Sequence, residues 1–538
     1  MNSVSKIQIQ RGIGTSKNGV ASYGGSVQLF SPNLYDSTFT TIGLGYGSFN
    51  SHRLFGEFNS GIKNNKAFYI RASQVYSDGY KYNSSNNSQS VFMSGALTGD
   101  YSTLKVNALV GHQQNQLAWL GVSEALIDRD RRTNANENER DNFTQALLQL
   151  QHSWQLNDAS NLQSSIYYTY LNGNNDFNQN SFLGLPSTNE LCNYAFRSNL
   201  IGVFSNYTYS KKSFNWTTGI HGNIYNRRHT GSEKTLGELY ENTGYKNEFS
   251  VFSKANYTID RLTLFADVQA RYASFNYHGD VPLSKLNWHF LNPKAGVSFA
   301  LNPHSTLYYS IGRTGREPTR NDMFVGNDNL PADNSGQAAI SNTNPEYVID
   351  QELGLRHQSG KINLNLNFYY MSFKNEIVLN GQLGPNGLAL TKEVDRSYRT
   401  GAELSINYKV NECIKLINNS SYNYSRIKEQ TQSFAPILTP PVIINQEVTY
   451  NRKNYLVGLS ARFQDRAFIN FANSAKVDTY VILNARAQYT VKGFQLGVFV
   501  NNITNTKYFN NGYVDGAGTN KYFVQSPANV YTSVKYTF

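Results

Sequence analysis

Charge is scarce in this chain. Asp, Glu, Lys and Arg make up 16% of its 538 residues, against about 25% in soluble globular domains. Such poverty of charge suggests lipid contact, yet no apolar run approaches the roughly 18 residues that a membrane-spanning helix needs, which excludes a helical membrane protein. Cysteine is nearly missing as well: Cys192 and Cys413 cannot build a disulfide framework. The nine His residues show no metal-ligand spacing, and no nucleophile, base and orienting group stand out together, so the sequence indicates neither a metal site nor catalysis. The formal charge of +11 comes from Lys and Arg scattered along the chain, which argues against nucleic acid as a partner. Two classes remain: a large soluble β-protein, or a barrel whose strands turn apolar residues to lipid and polar residues to a wet lumen.

What the chain has in abundance is Tyr and Phe, 38 and 31 residues, and turns of two lengths. Short turns fall near 62–66, 100–103, 157–160, 210–213, 260–261, 302–304, 358–361 and 491–493. Long polar stretches lie near 114–140, 173–196, 228–246, 314–346, 374–396, 428–451 and 505–523. Transmembrane β-barrels distinguish their periplasmic and extracellular ends in this way. The segments between turns predict an all-β, antiparallel barrel of about 22 strands, a size found in plugged transporters rather than open porins. In Ile362-Asn-Leu364-Asn-Leu366-Asn-Phe368 the apolar residues are expected on lipid and Asn363, Asn365 and Asn367 in the lumen. A Tyr-rich soluble β-sandwich or adhesin is the alternative. In the barrel reading, Cys192 is extracellular and Cys413 sits beside a periplasmic turn, so the membrane keeps both thiols unpaired. The positive charge then fits attraction of an anionic ligand or lipopolysaccharide. Met1 leads into Asn2-Ser3-Val4-Ser5-Lys6 without the apolar core of a secretory signal, so a truncated or processed product is expected.

The first 36 residues differ in kind from the strands. Gln10-Arg11-Gly12-Ile13-Gly14-Thr15-Ser16 and Gly19-Val20-Ala21-Ser22-Tyr23-Gly24-Gly25-Ser26-Val27-Gln28-Leu29 carry glycine at a density suited to tight turns. This stretch resembles the end of the plug domain of TonB-dependent outer-membrane receptors. Asn292-Pro293-Lys294-Ala295-Gly296 through Gly315-Arg316-Glu317-Pro318-Thr319 is similar to that family's central hairpin and the start of its seventh loop. Asn501-Asn502-Ile503-Thr504-Asn505-Thr506-Lys507-Tyr508 resembles its penultimate-strand motif, and the carboxy-terminal Phe538 its insertion signal. The resemblance implies a plug remnant over 1–36, a barrel over 37–538, an outer-membrane location in a Gram-negative bacterium, and import of a scarce nutrient, most often a ferric chelate. It also implies a TonB-type energy-coupling partner acting through a segment that precedes this chain, and no cofactor. An adhesin, a passive pore, or a receptor for cobalamin or an oligosaccharide are the other readings.

Strand parity places Glu352 and Glu403 on the lumen wall, two strands apart, where two carboxylates want a cation. The resemblance supplies Arg11 as that cation, a lock between plug and barrel; solvated pore lining is the plainer alternative. Arg313, Arg316 and Arg320 gather at the mouth of the seventh loop, suited either to the oxygens of a ferric chelate or to lipopolysaccharide. Trp119, Tyr225 and Trp288, near loop bases, suit ligand stacking or, more simply, the interfacial aromatic girdle. Asp328 and Asp333 give a weak hint of calcium. Gly315-Arg316-Glu317-Pro318 and Asn327-Asp328-Asn329-Leu330 stand where haem receptors of the family carry their two boxes, but no His lies between them, which argues against haem.

Overall fold

The computed structural model describes residues 4–12, 16–18, 24–384 and 387–538, apart from the side chains of Arg11 and Asn18. Twenty-two antiparallel strands, from Phe39–Gly47 to Asn529–Thr537, form a barrel closed by pairing of the last strand with the first, Val534 opposite Leu44. Closure leaves no unpaired barrel edge, which is the condition for crossing lipid with strands. Connections at one rim are short, as at 212–213, 260–261, 303–304 and 492–493; at the other they reach 117–139, 178–191, 317–345, 465–479 and 502–528. Leu148, Ile201, Val251, Leu353, Phe368 and Val498 stand exposed on the outer face. Inward positions between them are polar: Asn367 is buried and accepts a hydrogen bond from Tyr308 Oη at 2.9 Å.

Two of the expected loops are strand, and the end of a third, 428–451, belongs to the barrel strand Val442–Arg452. The segments around 228–246 and 374–396 continue the hairpins Phe214–Glu233 with Gly237–Ile259 and Ile362–Leu383 with Ala389–Lys409. A spanning strand needs only about 9–11 residues. Strands of 20 and 23 residues therefore project well above the bilayer, where no lipid requires outward apolar residues and the alternating signal fades. Part of the tyrosine excess also has a use other than the girdle. Tyr308 lies over Gly354 on the neighbouring strand, where any Cβ would strike its ring.

The opposite arc is low, with strands of only eight or nine residues at Phe494–Asn501, Asn529–Thr537, Phe39–Gly47 and Ser51–Asn59. Its extracellular loops are held together by their own small core. Hairpins Ala467–Phe468 with Lys476–Val477 and Phe509–Val514 with Asn520–Val524 bring Ile469, Val477, Tyr522 and Val524 against Val122 and Ile127 of the 117–139 loop. That loop carries helix α1 (Glu124–Arg129), and 178–191 carries α2 (Gln179–Leu183).

Near the amino terminus, β1 (Lys6–Arg11) and β2 (Gly25–Phe30) form an antiparallel pair outside the barrel sheet. Ser16 N–H donates to Asp267 Oδ2 on the lumen wall at 3.0 Å. Leu34 packs into a cluster of Ala67, Tyr69, Phe92 and Ala96. Both cysteines are free, Cys192 at the extracellular start of a long strand and Cys413 in the periplasmic turn that precedes Ile414–Glu429.

Candidate ligand-binding site

The seventh extracellular connection, 317–345, folds inward against the high wall. Its entry is fixed by Asn292 of the Asn-Pro-Lys motif, which donates to Gln269 Oε1 at 3.0 Å and accepts the Gly315 N–H at 3.2 Å. Helix α3 (Arg320–Met323) then starts under a capping box between Thr319 and Asp322. Asp322 is tied to the next hairpin by Thr391 Oγ1 at 2.7 Å. Met323, Phe324 and Leu330 close a buried apolar cluster with Ala273, Phe275, Tyr277, Trp288 and Phe290.

Between this loop and the wall lies a cavity of about 250 Å³ lined by Tyr225, Arg227, His229, Lys246, Phe275, Trp288, Glu317, Arg320, Met323 and Asp328. Beneath it runs a buried ion network. Arg271 Nη2 lies 2.8 Å from Glu317 Oε1 and 3.2 Å from Glu248 Oε1, and Lys246 Nζ reaches the same two oxygens at 2.6 and 3.2 Å. Burial alone would push the Glu317 carboxyl up, but Arg271 and then Lys246 pull it down to about 2. Asp328 is likewise buried, yet held below its ordinary value by His229, at 2.9 Å, and by Arg320. Tyr240 Oη donates to it at 2.6 Å. Its oxygens are thus committed to protein partners, and Asp333 caps a turn through the N–H groups of Ser335 and Gln337, so the calcium hint is not supported.

The predicted residues separate. Tyr225, Trp288 and Arg320 meet in the cavity. Trp288 is buried and donates Nε1–H to Thr343 O, so it serves no girdle. Arg313 rests on the Tyr347 ring at 4.3 Å and lies opposite the outward Ile349; Arg316 is bound by the buried Glu346; neither lines the cavity. Trp119 stacks on Phe177 and Phe182 at another part of the rim. Arg227, His229, Lys246 and Glu317 were not singled out from sequence. Arg227 and His229 share the parity of Tyr225, so the signal was present, but the strand was expected to end at 228.

A family model described as TonB dependent receptor-like, beta-barrel matches residues 14–503. The chain belongs to the TonB-dependent receptor family. Among solved structures, the copper transporter OprC superposes with a TM-score of 0.84 at 14% identity, over 100% of this chain and 86% of that one. The ferric yersiniabactin uptake receptor FyuA from Yersinia pestis gives 0.83 at 15%, over 100% and 85%. The ferric citrate transporter FecA gives 0.83 at 14%, over 99% and 83%. At these identities the likeness establishes the fold. Family membership places the chain in the outer membrane of a Gram-negative bacterium, in a family of transporters rather than enzymes that work with a TonB partner and a small ligand.

The residues expected to lock a TonB-dependent receptor's plug are partly brought together. Glu352 and Glu403 lie on strands Glu346–Gln358 and Ala389–Lys409, flanking the strand that holds Asn367 and Tyr369. Gly12, at φ +63°, sits so close that an added Cβ would collide with carboxylate oxygens of Glu352 and Asp350. Asp350, one inward position from Glu352, is a further acid beside Gly12, of the same strand parity as Glu352. The Arg11 side chain lies outside the described residues.

Proposed function

We propose that this receptor binds a ferric chelate at its extracellular face and imports it into the periplasm with TonB-coupled energy. The cavity beneath the seventh loop carries the reading: guanidinium and ammonium groups beside Tyr225, Phe275 and Trp288 suit the anionic oxygens and flat arms of such a chelate. Relatives whose names specify ferric yersiniabactin and ferric citrate support it. In the same proposal residues 1–36 are the carboxy-terminal part of a plug, locked by Arg11 to Glu352 and Glu403, and 37–538 are the barrel. Outward apolar and aromatic residues meet lipid and lipopolysaccharide.

The test is growth of a deletion strain on single sources of iron, cobalamin and glycan. Loss of growth confined to particular ferric chelates is the expected result. A defect only on cobalamin or a glycan would replace the cargo.

A further inference from the structure

Among the described cations that line the cavity, one has no opposite charge. Lys246 contacts Glu248 and Glu317, and Arg320 contacts Asp328, so both carboxylates of the cavity wall are already met. Arg227 rests on rings instead. Its guanidinium carbon lies 4.2 Å from the centre of Phe196 and 6.0 Å from that of Tyr225, and its Nε is closed off from solvent with no hydrogen-bond partner. The residue faces inward: its neighbour Arg228 pairs with Glu241 on an exposed surface, while Tyr225 and His229, of Arg227's parity, line the same cavity. An aromatic face compensates a desolvated cation only in part. A planar fork stacked on one ring keeps its edge available for two parallel bonds to a carboxylate or a pair of phenolate oxygens.

We propose that Arg227 anchors one anionic, ring-bearing arm of the cargo, which makes the imported ligand an anionic aromatic chelate rather than a neutral one. This rests on the ferric-chelate reading above. Size restricts the arm: about 250 Å³ falls below the roughly 300–1,000 Å³ of sites that hold whole drug-sized ligands. A single ring fits between Tyr225, Phe275 and Trp288 with its oxygens at Arg227, while the metal centre remains in the vestibule above. Arg320, which lines the same cavity, is held by Asn242 Oδ1 at 2.9 Å and by Asp328, so Arg227 is the cation left for the arm.

Tryptophan-fluorescence titration of the purified receptor in detergent tests this with three probes: an anionic ferric tris-catecholate, a neutral ferric trihydroxamate, and iron-free 2,3-dihydroxybenzoate. Wild type, Arg227→Gln, Arg227→Lys and the outward control Arg313→Gln are compared, each shown to be folded by its heat-modifiable migration on gels. The anionic ferric complex should bind about ten-fold or more tighter than the neutral one, Arg227→Gln should abolish that margin, Arg227→Lys should restore part of it, and Arg313→Gln should leave it unchanged. Equal affinity for the two ferric complexes, a change of less than about two-fold in Arg227→Gln, or no binding of any probe would overturn the anchor. Arg227-dependent binding of the iron-free acid without binding of either ferric complex would uphold the anchor and defeat the ferric reading. Ferric binding indifferent to Arg227 would do the reverse.

Discussion

Glu317 and Glu139 are both buried carboxylates in loops, and their surroundings drive them in opposite directions. Glu317 has Arg271 and Lys246 within hydrogen-bond reach, so its carboxyl falls to about 2 from an ordinary 4.5. A lowered acid contributes stability that is present above 4.5 and lost as pH falls towards 2, so the pin at the start of the seventh loop is unchanged between pH 5 and 8. Replacing it by Gln leaves Arg271 with Glu248 as its remaining counter-charge, so the cost stays below the roughly 3 to 5 kcal/mol of an orphaned buried charge. Glu317→Gln should therefore expose 317–345 to protease and lower the guanidinium midpoint, whereas an unchanged cleavage rate would contradict the pin.

Among the described residues, Glu139 has no cation beside it. Burial raises its carboxyl to about 7, although it accepts from the Asn178 N–H at 2.5 Å and from Asn136 and Trp119. A raised acid contributes most below its unfolded value and loses that contribution as pH rises through about 7. Hydrogen exchange, corrected for its intrinsic pH dependence, should show the 117–139 and 178–191 loops better protected at pH 5 than at pH 8. Glu139→Gln should flatten that difference, and a pH dependence that survives the substitution would point to another group.

At the scale of elements, what was legible in the sequence was whatever lipid imposes. Alternation in Ile362–Leu383 and Phe494–Asn501, and the short turns at 212–213 and 260–261, follow from apolar-out positions and tight reversal, and the structure shows them in place. Illegible segments were those outside the bilayer. The upper halves of Phe214–Glu233 and Gly237–Ile259 pair polar residues on both faces, and so read as a loop, which hid His229 and Lys246. Arg320 stands out because three arginines lie close together; strand alternation turns Arg313 outward, opposite Ile349, while Arg316, three residues on and of the other parity, is held by the buried Glu346. Nothing local in the sequence announces the pairing of Glu317 with Arg271, since it joins residues 46 apart.

In the proposed function the β1–β2 pair is the element on which transport would act. A two-stranded sheet is marginal by itself, so its place in the lumen depends on anchors such as Ser16 to Asp267 and the approach of Gly12 to Asp350 and Glu352. In a hydrated pore the proposed Arg11 lock should be worth the low end of a desolvated pair, about 1 to 2 kcal/mol. Arg11→Ala and the Glu352→Ala, Glu403→Ala double variant should each speed protease release of residues 1–36, with less than additive effect when combined. Unchanged release would make the glutamates pore lining.

For the molecule as a whole, the barrel is lopsided by design of its strand lengths. A high wall built from Cys192–Lys211, Phe214–Glu233 and Gly237–Ile259 carries the basic aromatic cavity, and the low arc is covered by loops that share their own apolar core. In the proposed function, cargo would bind against this wall, above the lumen residue Asp267 that the N-terminal segment reaches through Ser16, an arrangement that suits release by pulling rather than free diffusion. Accumulation of radioactive iron from an anionic aromatic chelate is the direct measurement, made in cells with and without this receptor and with and without a protonophore. The account predicts uptake that requires both the receptor and the proton gradient; receptor-dependent uptake that persists after the gradient is dissipated, or uptake unaffected by loss of the receptor, would contradict it.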